Sequence, residues 1–425
     1  MNINLYKFNR HWEKEYYYPY PKKRDIFKHL LASLEKRQIV EITGLRRLGK
    51  TVLMLQLINH LLEKKVNPFH ILYFSFDENQ LSIEELINQY TLQTNIDYKK
   101  EKIYLFLDEI QKLENFQNQI KVYYDLYPNI KFFISGSTSL FIRKKTQESL
   151  AGRTVGFFVK PLSFFEYLNF IEKDEILKKP ILYRVELEKE FNLYLQSQFI
   201  ETIKMNSFEE KRYYLNSIIK KIIFEDLTIL FKINHPQILY QIVQYIGQNP
   251  GSIINNLHLA SELKLSNKTI ALYLSYLEDS LLIKKLYNFS RNFFTSQRKL
   301  KKYYLASPSL SLALTDFVDQ AKIFENYFIS QNDWQYFYRD PAKHEVDFVA
   351  VDKNKKILPI EIKFKKEIKR DDLKNLIIFM KKYQLNKAYV FYYQLNQKTI
   401  KINNKKIVLL PYYQSINIIS RFISP

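Results

Sequence analysis

Eight consecutive residues near the amino terminus have the types and spacing that phosphate chemistry requires. Residues 44–51 read G-x-x-x-x-G-K-T, after a short apolar run and before an apolar stretch of helical length. In this strand–loop–helix context the sequence is a P-loop, whose backbone N–H groups wrap phosphates at a helix amino terminus. Lys50 is predicted to reach the β- and γ-phosphates of ATP, and the Thr51 hydroxyl to bind Mg²⁺. The predicted nucleotide contacts here are Gly44, Leu45, Arg46, Arg47, Leu48, Gly49, Lys50, Thr51 and Val52.

A P-loop needs an acidic partner for its metal ion, and a second apolar run supplies one. Residues 103–107 are apolar and end at Asp108 and Glu109. Asp108 fits the Walker B position, which holds Mg²⁺ with the nucleotide, and Glu109 fits the base that polarises the attacking water. Without the P-loop upstream, the same pattern would indicate only an ordinary strand with a solvated acidic turn.

Two further segments carry groups suited to phosphoryl transfer. Residues 131–134 predict a buried strand that ends in small hydroxyl residues. Ser137 is predicted to sense the γ-phosphate or to orient the water, with Ser135 and Thr138 as alternatives. Arg153 follows a glycine and is predicted to stabilise charge on the transferred group, in its own subunit or in a neighbour's. The alternative for Arg153 is an ordinary surface arginine.

The P-loop, the further strand at 71–76 and the two runs described above imply a doubly wound α/β parallel sheet with nucleotide at its carboxyl edge. The 425 residues are too many for one core, so two or three domains are expected. The absence of cysteine excludes disulfides and thiolate metal sites. No apolar window is long enough for a membrane span and the first residues lack a signal-peptide core, so a cytoplasmic location is expected.

The charge balance favours a polyanionic partner such as DNA. The formal net charge is +21 at pH 7. An AT-rich genome would raise the lysine content in the same way, so the charge alone leaves both readings open. A helix–turn–helix pattern over 257–287, with strand-like residues to 305, predicts a winged helix that contacts DNA or serves as a protein-interaction module. The residues predicted to meet phosphates are Lys284, Lys285, Arg291, Arg298, Lys299, Lys301 and Lys302.

A second set of catalytic residue types lies in the last hundred residues. Two predicted strands, 345–351 and 357–364, place Asp347 opposite Glu361 and Lys363, which project from one face. A predicted helix at 322–328 adds Glu325. This is the pattern of the PD-(D/E)XK nuclease fold, in which Asp347 and Glu361 would bind Mg²⁺, Lys363 would activate water and Glu325 would support the metal. A solvated acidic and basic face is the alternative.

The order of these motifs resembles a family of AAA+-type P-loop ATPases of archaea and bacteria. The resemblance rests on 44–51, on Asp-Glu-Ile-Gln at 108–111, on Ser-Gly-Ser at 135–137, on Gly-Arg at 152–153 and on Pro-Leu-Ser-Phe-Phe-Glu at 161–166. It implies an ATPase domain at 1–170, a helical and winged-helix domain at 171–310, and an α/β PD-(D/E)XK nuclease-like domain at 311–425. The function predicted is Mg²⁺-dependent ATP hydrolysis in association with DNA. The alternative is a nucleotide-dependent switch that binds a protein partner, and a homo-oligomer would allow Arg153 to act between subunits.

Overall fold

The structure is a computed structural model and describes residues 3–77, 81–137 and 150–414. The chain separates into two compact units. The first comprises Met1–Lys160 with Asp279–Leu281, and the second Pro161–Glu278 with Leu282–Pro425. The boundaries of the three domains expected from the sequence remain predictions. Within the described residues, no helix is both long and apolar enough to cross a membrane.

The first unit is built on a parallel sheet with helices between its strands. The strand order is β2-β3-β4-β1-β5, and each recorded pairing in this sheet is parallel. These strands are apolar runs because helices cover the sheet, and β1, β3 and β4 are buried throughout. The predicted P-loop α/β sheet is thereby confirmed. The elements are α1 (Phe27–Leu31), β1 (Ile39–Gly44), α2 (Lys50–Glu63), β2 (Ile71–Ser75), α3 (Ile83–Thr94), β3 (Ile103–Asp108), α4 (Phe116–Leu126), β4 (Ile130–Gly136) and β5 (Thr154–Val159).

The strand order brings three motif-bearing segments to one edge of this sheet. Strand β4 lies between β1 and β3, and all three run in the same direction. Their carboxyl ends therefore meet at one edge, although their sequences lie far apart. Helix α2 begins at Lys50, directly after Gly49, which has a left-handed backbone with φ of 87°.

The exposed edge of β2 is covered by a segment near the amino terminus. The Asn9 side chain accepts a hydrogen bond from the Tyr73 N–H at 2.6 Å and donates one to the Tyr73 carbonyl at 3.0 Å. The Trp12 indole N–H donates to the Ile71 carbonyl at 2.9 Å. These contacts give β2 hydrogen-bond partners on the side away from β3.

The second unit is organised around a long mixed sheet with the order β13-β14-β12-β11-β10-β9-β7-β8-β6. Its helical part comes first in the chain, and helices are interspersed among the strands after β6. The helices are α5 (Phe164–Phe170), α6 (Arg184–Leu195), α7 (Phe208–Lys221), α8 (Thr228–Phe231), α9 (Pro236–Gln248), α10 (Asn256–Glu262), α11 (Asn267–Asp279), α12 (Phe293–Arg298), α13 (Pro308–Leu314), α14 (Gln320–Gln331) and α15 (Lys374–Lys382). The strands are β6 (Ser252–Ile253), β7 (Ile283–Asn288), β8 (Lys301–Leu305), β9 (Tyr336–Arg339), β10 (Glu345–Val351), β11 (Ile357–Lys363), β12 (Lys387–Tyr392), β13 (Lys398–Ile402) and β14 (Lys405–Pro411).

Parallel pairing of β7 with β9 makes this sheet continuous. Tyr287 pairs with Tyr336, and Asn288 pairs with Phe337. The Asn288 side chain extends the pairing, because it donates to the Arg339 carbonyl at 2.7 Å and accepts from the Arg339 N–H at 3.0 Å. The β6–β8 part and the β9–β14 part of the unit are therefore joined by hydrogen bonds within one sheet.

We expect Gly44→Ala to destabilise the first unit, because a Cβ atom at this position would lie 2.5 Å from the Val159 carbonyl oxygen. Backbone atoms must move to relieve such a clash, so a loss of about 1–3 kcal/mol in unfolding free energy is expected. Gly156→Ala in the neighbouring strand is the matched control, because among the described residues no atom beyond Gly156 and its chain neighbours lies within 4 Å of its added Cβ. Urea unfolding of both variants measures the difference. Equal stability of the two variants would contradict the packing argument.

Candidate functional site

The P-loop is held in place by hydrogen bonds to its own carbonyl groups. Lys50 is buried, and its ammonium donates to the Gly44 carbonyl at 3.1 Å and to the Leu45 carbonyl at 3.0 Å. Arg24, also buried, donates to the Leu48 carbonyl at 3.1 Å and to the Lys160 carbonyl at 2.9 Å. Arg24 thus connects the P-loop to the chain just after β5. Because guanidinium is a planar fork of donors, one side chain can hold two separate backbone segments.

Asp108 at the end of β3 is the hub of a hydrogen-bond network. Its Oδ2 accepts from the Thr51 hydroxyl at 2.5 Å and from the Tyr73 hydroxyl at 3.0 Å. Its Oδ1 accepts from the Ser135 hydroxyl and from the Glu109 N–H. Burial and the negative charge of Asp108 raise the pKa of Tyr73 above its usual range, so Tyr73 stays a hydrogen-bond donor.

Glu109 takes a different set of partners from those of Asp108. Its backbone is left-handed, with φ of 50°, a conformation that residues other than glycine adopt only rarely. Its Oε2 accepts hydrogen bonds from the Gln111 amide and from the Ser137 hydroxyl, the latter at 3.3 Å. Ser137 and Glu109 are therefore adjacent, whereas Ser135 serves Asp108. Thr138, the other predicted alternative, lies outside the described residues.

This arrangement fits a Mg²⁺–nucleotide complex. The Thr51 hydroxyl and the Asp108 carboxylate are hard oxygen ligands, and they already lie within hydrogen-bond distance of each other. Mg²⁺ prefers such ligands and is usually held by one or two carboxylates together with waters and substrate phosphates. Bound there, the ion would neutralise charge on the phosphates. Arg46 is half-buried in the P-loop, Arg47 is exposed with a left-handed backbone, and Val52 is half-buried in α2.

Arg153 lies near the amino-terminal end of β1, whereas the P-loop follows the carboxyl-terminal end of that strand. The Arg153 carbonyl accepts from the Ile39 N–H at 2.8 Å, at the residue where β1 begins. Strand β1 then runs about 16 Å before it reaches Gly44. The guanidinium is bound by both Asp125 oxygens, at 2.9 and 3.0 Å. Of the two predicted roles, the geometry does not bring Arg153 to the nucleotide site of its own subunit, and action in a neighbour's site remains a prediction.

The carboxyl-terminal candidate residues come together on β10 and β11. Asp347 is one step along the strand from the Phe348–Ile360 pair, and its Oδ2 accepts from the Ile362 N–H at 2.8 Å. The Lys363 ammonium lies 2.6 Å from Glu361 Oε1. The second oxygen of Glu361, Oε2, is buried and has no hydrogen-bond partner among the described residues.

Burial dominates the ionisation of these two carboxyl groups. It raises the pKa of Glu361 to about 8, and the nearby charge of Asp347 adds to this effect against the attraction of Lys363. Burial and the charge of Glu325 raise the pKa of Asp347 to about 6. Both groups therefore resist ionisation more than an exposed carboxyl does. A bound cation would counteract that resistance, because it favours the charged form.

Glu325 is committed to other partners. Its Oε1 accepts from the Lys302 ammonium at 3.1 Å and from the Tyr304 hydroxyl, and its Oε2 lies 3.2 Å from Lys322. Burial opposes ionisation of Glu325, but the charges of Lys302 and Lys322 outweigh it and lower its pKa to about 2. Both oxygens of Glu325 are thus occupied by cations and a hydroxyl. The predicted metal-supporting role is not what this geometry provides, since Glu325 holds Lys302 instead.

The structure also corrects the predicted phosphate-contacting role of Lys302. This residue is 1% exposed, and its ammonium lies 2.6 Å from Glu345 as well as close to Glu325. Lys284 donates to the Ile329 carbonyl at 2.8 Å, and Lys285 is paired with Glu278. The predicted residues that are exposed or half-buried outside these contacts are Arg291, Arg298, Lys299 and Lys301.

A metal ion at the carboxyl-terminal site would rest on two carboxylates. No group of three or more histidine, aspartate or glutamate side chains suited to a metal occurs within the described ranges. Two carboxylates still suffice for Mg²⁺, which keeps several waters. The unpartnered Glu361 Oε2 is the observation that fits such an ion.

Comparison with known protein families agrees with the geometry of the first unit. Residues 36–168 match a family model described as an AAA domain. Residues 36–168 of this chain are therefore similar to an AAA-type P-loop ATPase domain. Together, the ATPase domain and its site support nucleotide binding and ATP hydrolysis. Residues 199–321 and 321–413 match models described as domains of unknown function, DUF8612 and DUF4143.

The similarity of this chain to other proteins extends beyond the AAA domain. The chain is 27% identical over 355 residues to uncharacterized protein MJ1544 of Methanocaldococcus jannaschii, covering 80% of this chain and 78% of the relative. It is also 27% identical over 254 residues to an uncharacterized protein of Haemophilus influenzae, covering 57% and 61%. Among solved structures, the Aeropyrum pernix ORC1 protein in complex with DNA aligns with 72% of this chain and 95% of its own, at 13% identity and a TM-score of 0.34.

Three residues of the two sites are not predicted by the sequence. Tyr73 could have been noticed as a polar tip within an apolar strand, but its hydrogen bond to Asp108 depends on β2 pairing with β3. Arg24 has no local signal, since its partners lie in the P-loop and after β5. Glu345 had been assigned only to a strand, and its pairing with Lys302 depends on the continuity of the long sheet.

The raised pKa of Glu361 predicts a loss of stability as the pH rises. The folded protein holds this proton up to about pH 8, whereas the unfolded chain releases it near the ordinary value of 4.5. Protonated Glu361 therefore makes a contribution to the unfolding free energy that is fully present below pH 4.5. This contribution is lost as the pH rises through 8. Glu361→Gln keeps the neutral form, so its Tm should fall less than that of the wild type between pH 5 and pH 9, by about 3 °C or more.

Thermal unfolding without divalent ions measures this difference. Glu367→Gln, at an exposed position in the same region, is the control and should follow the wild type. Parallel pH profiles for the wild type and Glu361→Gln would show that Glu361 ionises normally in the folded protein.

Proposed function

We propose that the chain is a Mg²⁺-dependent ATPase whose second unit acts on DNA. In the ATPase domain, Lys50 would bind the β- and γ-phosphates, and Thr51 and Asp108 would hold Mg²⁺. Glu109 would accept a proton from water as the water oxygen forms a bond to the γ-phosphorus. The bond from that phosphorus to the bridging oxygen then breaks, and its electron pair leaves with ADP. Ser137 would orient the water, because its hydroxyl donates a hydrogen bond to Oε2 of Glu109, the proposed base.

The separation of tasks between two adjacent carboxylates carries this proposal. Asp108 receives the hydroxyls of Thr51, Ser135 and Tyr73, whereas Glu109 receives Gln111 and Ser137. A carboxylate that lies among hydroxyl oxygens suits a hard metal ion as its ligand. A neighbouring acid with fewer donors suits proton transfer. The side chains support metal binding at one position and base catalysis at the next.

We expect Glu109→Gln to bind ATP with little change while its kcat falls about 100-fold or more, since a positioned base contributes at least that much. Lys50→Ala should lose ATP binding itself. Nucleotide affinity by calorimetry and phosphate release by a coupled assay separate the two effects. Glu114→Gln, at an exposed position five residues further on, is the matched control. Normal turnover in Glu109→Gln would assign the base to another residue.

The element order of the second unit supports the DNA-directed part of the proposal. The succession α9–β6–α10–α11–β7–α12–β8, with β8 between β7 and β6, follows the plan of a winged helix. Helix α14, the antiparallel strands β9 to β11, helix α15 and the parallel strand β12 follow in the order that the PD-(D/E)XK fold requires. Function must still be argued from the site, because a fold alone does not determine activity.

The residues at the carboxyl-terminal site support phosphodiester hydrolysis. Asp347 and the unpartnered Oε2 of Glu361 would hold Mg²⁺, which would stabilise negative charge on a phosphate. Lys363, with burial opposed by the charges of Glu361 and Asp347, has a pKa raised above its usual range and remains an ammonium. It therefore suits positioning of the water and stabilisation of charge, and a different group must take the proton.

A plasmid-nicking assay tests this part separately. We expect wild-type protein with Mg²⁺ to convert supercoiled plasmid to the open circular form, and Asp347→Asn to lose at least about 100-fold of that rate. Asp371→Asn, at an exposed position near α15, is the control. ATP hydrolysis should be unchanged in Asp347→Asn. The absence of nicking by wild-type protein that hydrolyses ATP would overturn the nuclease assignment and leave the ATPase assignment intact.

A nucleotide-dependent switch is the second candidate. It is favoured by the hydrogen bonds that Gln111 and Ser137 give to Glu109, since they hold the base and would slow turnover. In that case ATP would be bound for long periods, and the second unit would respond to the bound nucleotide by engaging a protein partner. Nicking that requires Asp347 distinguishes the first candidate from this one.

A further inference from the structure

The β7–β8 segment, defined here as residues 289–300, combines exposed aromatic and cationic side chains. Phe293 and Phe294 are 61% and 70% exposed, and their rings lie edge to face with centroids 5.7 Å apart. Arg291 and Arg298, on either side of the pair, are exposed, and Lys299 is half-buried. Two adjacent phenylalanines held in water are costly, so a surface that retains them is a candidate for a binding function.

The charge around this pair selects an anionic occupant. No aspartate or glutamate occurs in the sequence between Asp279 and Asp316. An apolar peptide or a second apolar surface would gain nothing from flanking arginines. A single strand of nucleic acid matches both features, because its bases stack on aromatic rings and its phosphates pair with cations.

The segment is anchored rather than loose at its base. The Ser296 hydroxyl accepts from the Ser290 N–H at 2.9 Å, and the Asn292 side chain accepts from the Thr295 N–H at 3.1 Å as the cap of α12. Phe289 is buried and its N–H donates to the Phe337 carbonyl at 2.7 Å. The two exposed rings therefore project from the first turn of a capped helix.

The sheet also fixes this segment relative to the acidic site. Strands β7 and β9 are parallel, so the segment leaves β7 at the sheet edge where β9 ends at Arg339. Arg339 pairs with Glu345 across β9 and β10, and Asp347 follows two residues later. From β7 to β11 there are three strand spacings, about 14 Å. A strand of nucleic acid held at the segment needs only a few nucleotides to reach Asp347 and Glu361.

We propose that Phe293 and Phe294 stack on unpaired bases, and that Arg291 and Arg298 contact the phosphates of the same strand. The β7–β8 segment then selects single-stranded or locally unpaired DNA over intact duplex, and it delivers that strand to the acidic site. This inference rests on the DNA association proposed above and specifies its substrate class.

Binding of fluorescent oligonucleotides tests the proposal. The full-length protein is titrated into dT15 or a 15-base-pair duplex in EDTA, at several salt concentrations. Wild type should bind dT15 more tightly than duplex. The double variant Phe293→Ala/Phe294→Ala should weaken dT15 binding at least fivefold, with duplex binding within twofold and the salt dependence unchanged, because stacking is uncharged. Phe293→Tyr/Phe294→Tyr should restore binding.

The arginine pair gives a complementary result. Arg291→Gln/Arg298→Gln should lower the slope of log Kd against log salt by about 1.4 for dT15, since each phosphate contact contributes about 0.7 on a single strand. The matched control for the phenylalanine variant is Ile181→Ala/Val185→Ala, which removes apolar side chains that are 73% and 83% exposed elsewhere on the same unit. This control should bind both oligonucleotides as the wild type does.

Several outcomes would overturn the inference. Wild-type affinity in the phenylalanine variant, or equal losses for dT15 and duplex, would rule out stacking on unpaired bases. Unchanged DNA binding with altered self-association in sedimentation would identify the segment as a protein contact. If wild type binds neither oligonucleotide at low salt, the proposed DNA association itself fails, which is a different result from selective failure of the phenylalanine variant.

Discussion

The second unit is organised around the buried ion pairs that the Lys302 ammonium makes with Glu325 and Glu345. This ammonium lies in the interior between Glu325 of α14 and Glu345 of β10, and β8 carries it there. Burial opposes its charge, but the surrounding carboxylates and Tyr304 keep its pKa well above the usual range. An unpaired charge in such a place would cost several kcal/mol, so the two carboxylates and the lysine require one another. Three elements from different parts of the chain are thereby fixed around one proton-bearing nitrogen.

The two pairs of carboxylates in this chain show how environment assigns chemistry. Asp108 and Glu109 accept hydrogen bonds from hydroxyl, amide and N–H donors. Asp347 and Glu361 have few donors and are buried, so their pKa values are raised to about 6 and about 8. The first pair suits a nucleotide that binds together with Mg²⁺. The second pair gains most from a cation, because binding removes an electrostatic penalty.

What could be predicted from the sequence follows from how local each feature is. The P-loop is continuous from Gly44 to Thr51, and the Walker B acid directly follows its strand, so spacing and apolar pattern were sufficient. The β10–β11 hairpin was also local, and it places Glu361 and Lys363 on one face. Lys302 was misassigned to a phosphate-binding surface because nothing near it in sequence reveals its partners. Arg153 had two open roles, and only the parallel register of β1 with β5 places it at the edge away from Gly44.

The Asn9 side chain has a consequence for the open edge of the first sheet. Strand β2 is the last strand of its sheet, and an open strand invites pairing with another chain. The carboxamide of Asn9 offers Tyr73 one acceptor and one donor, as a neighbouring strand would, but it cannot propagate a ladder. The sheet is thus closed by a side chain that imitates a backbone. The same Tyr73 donates its hydroxyl to Asp108, so the covering of the β2 edge and the alignment of the proposed metal ligand involve one residue.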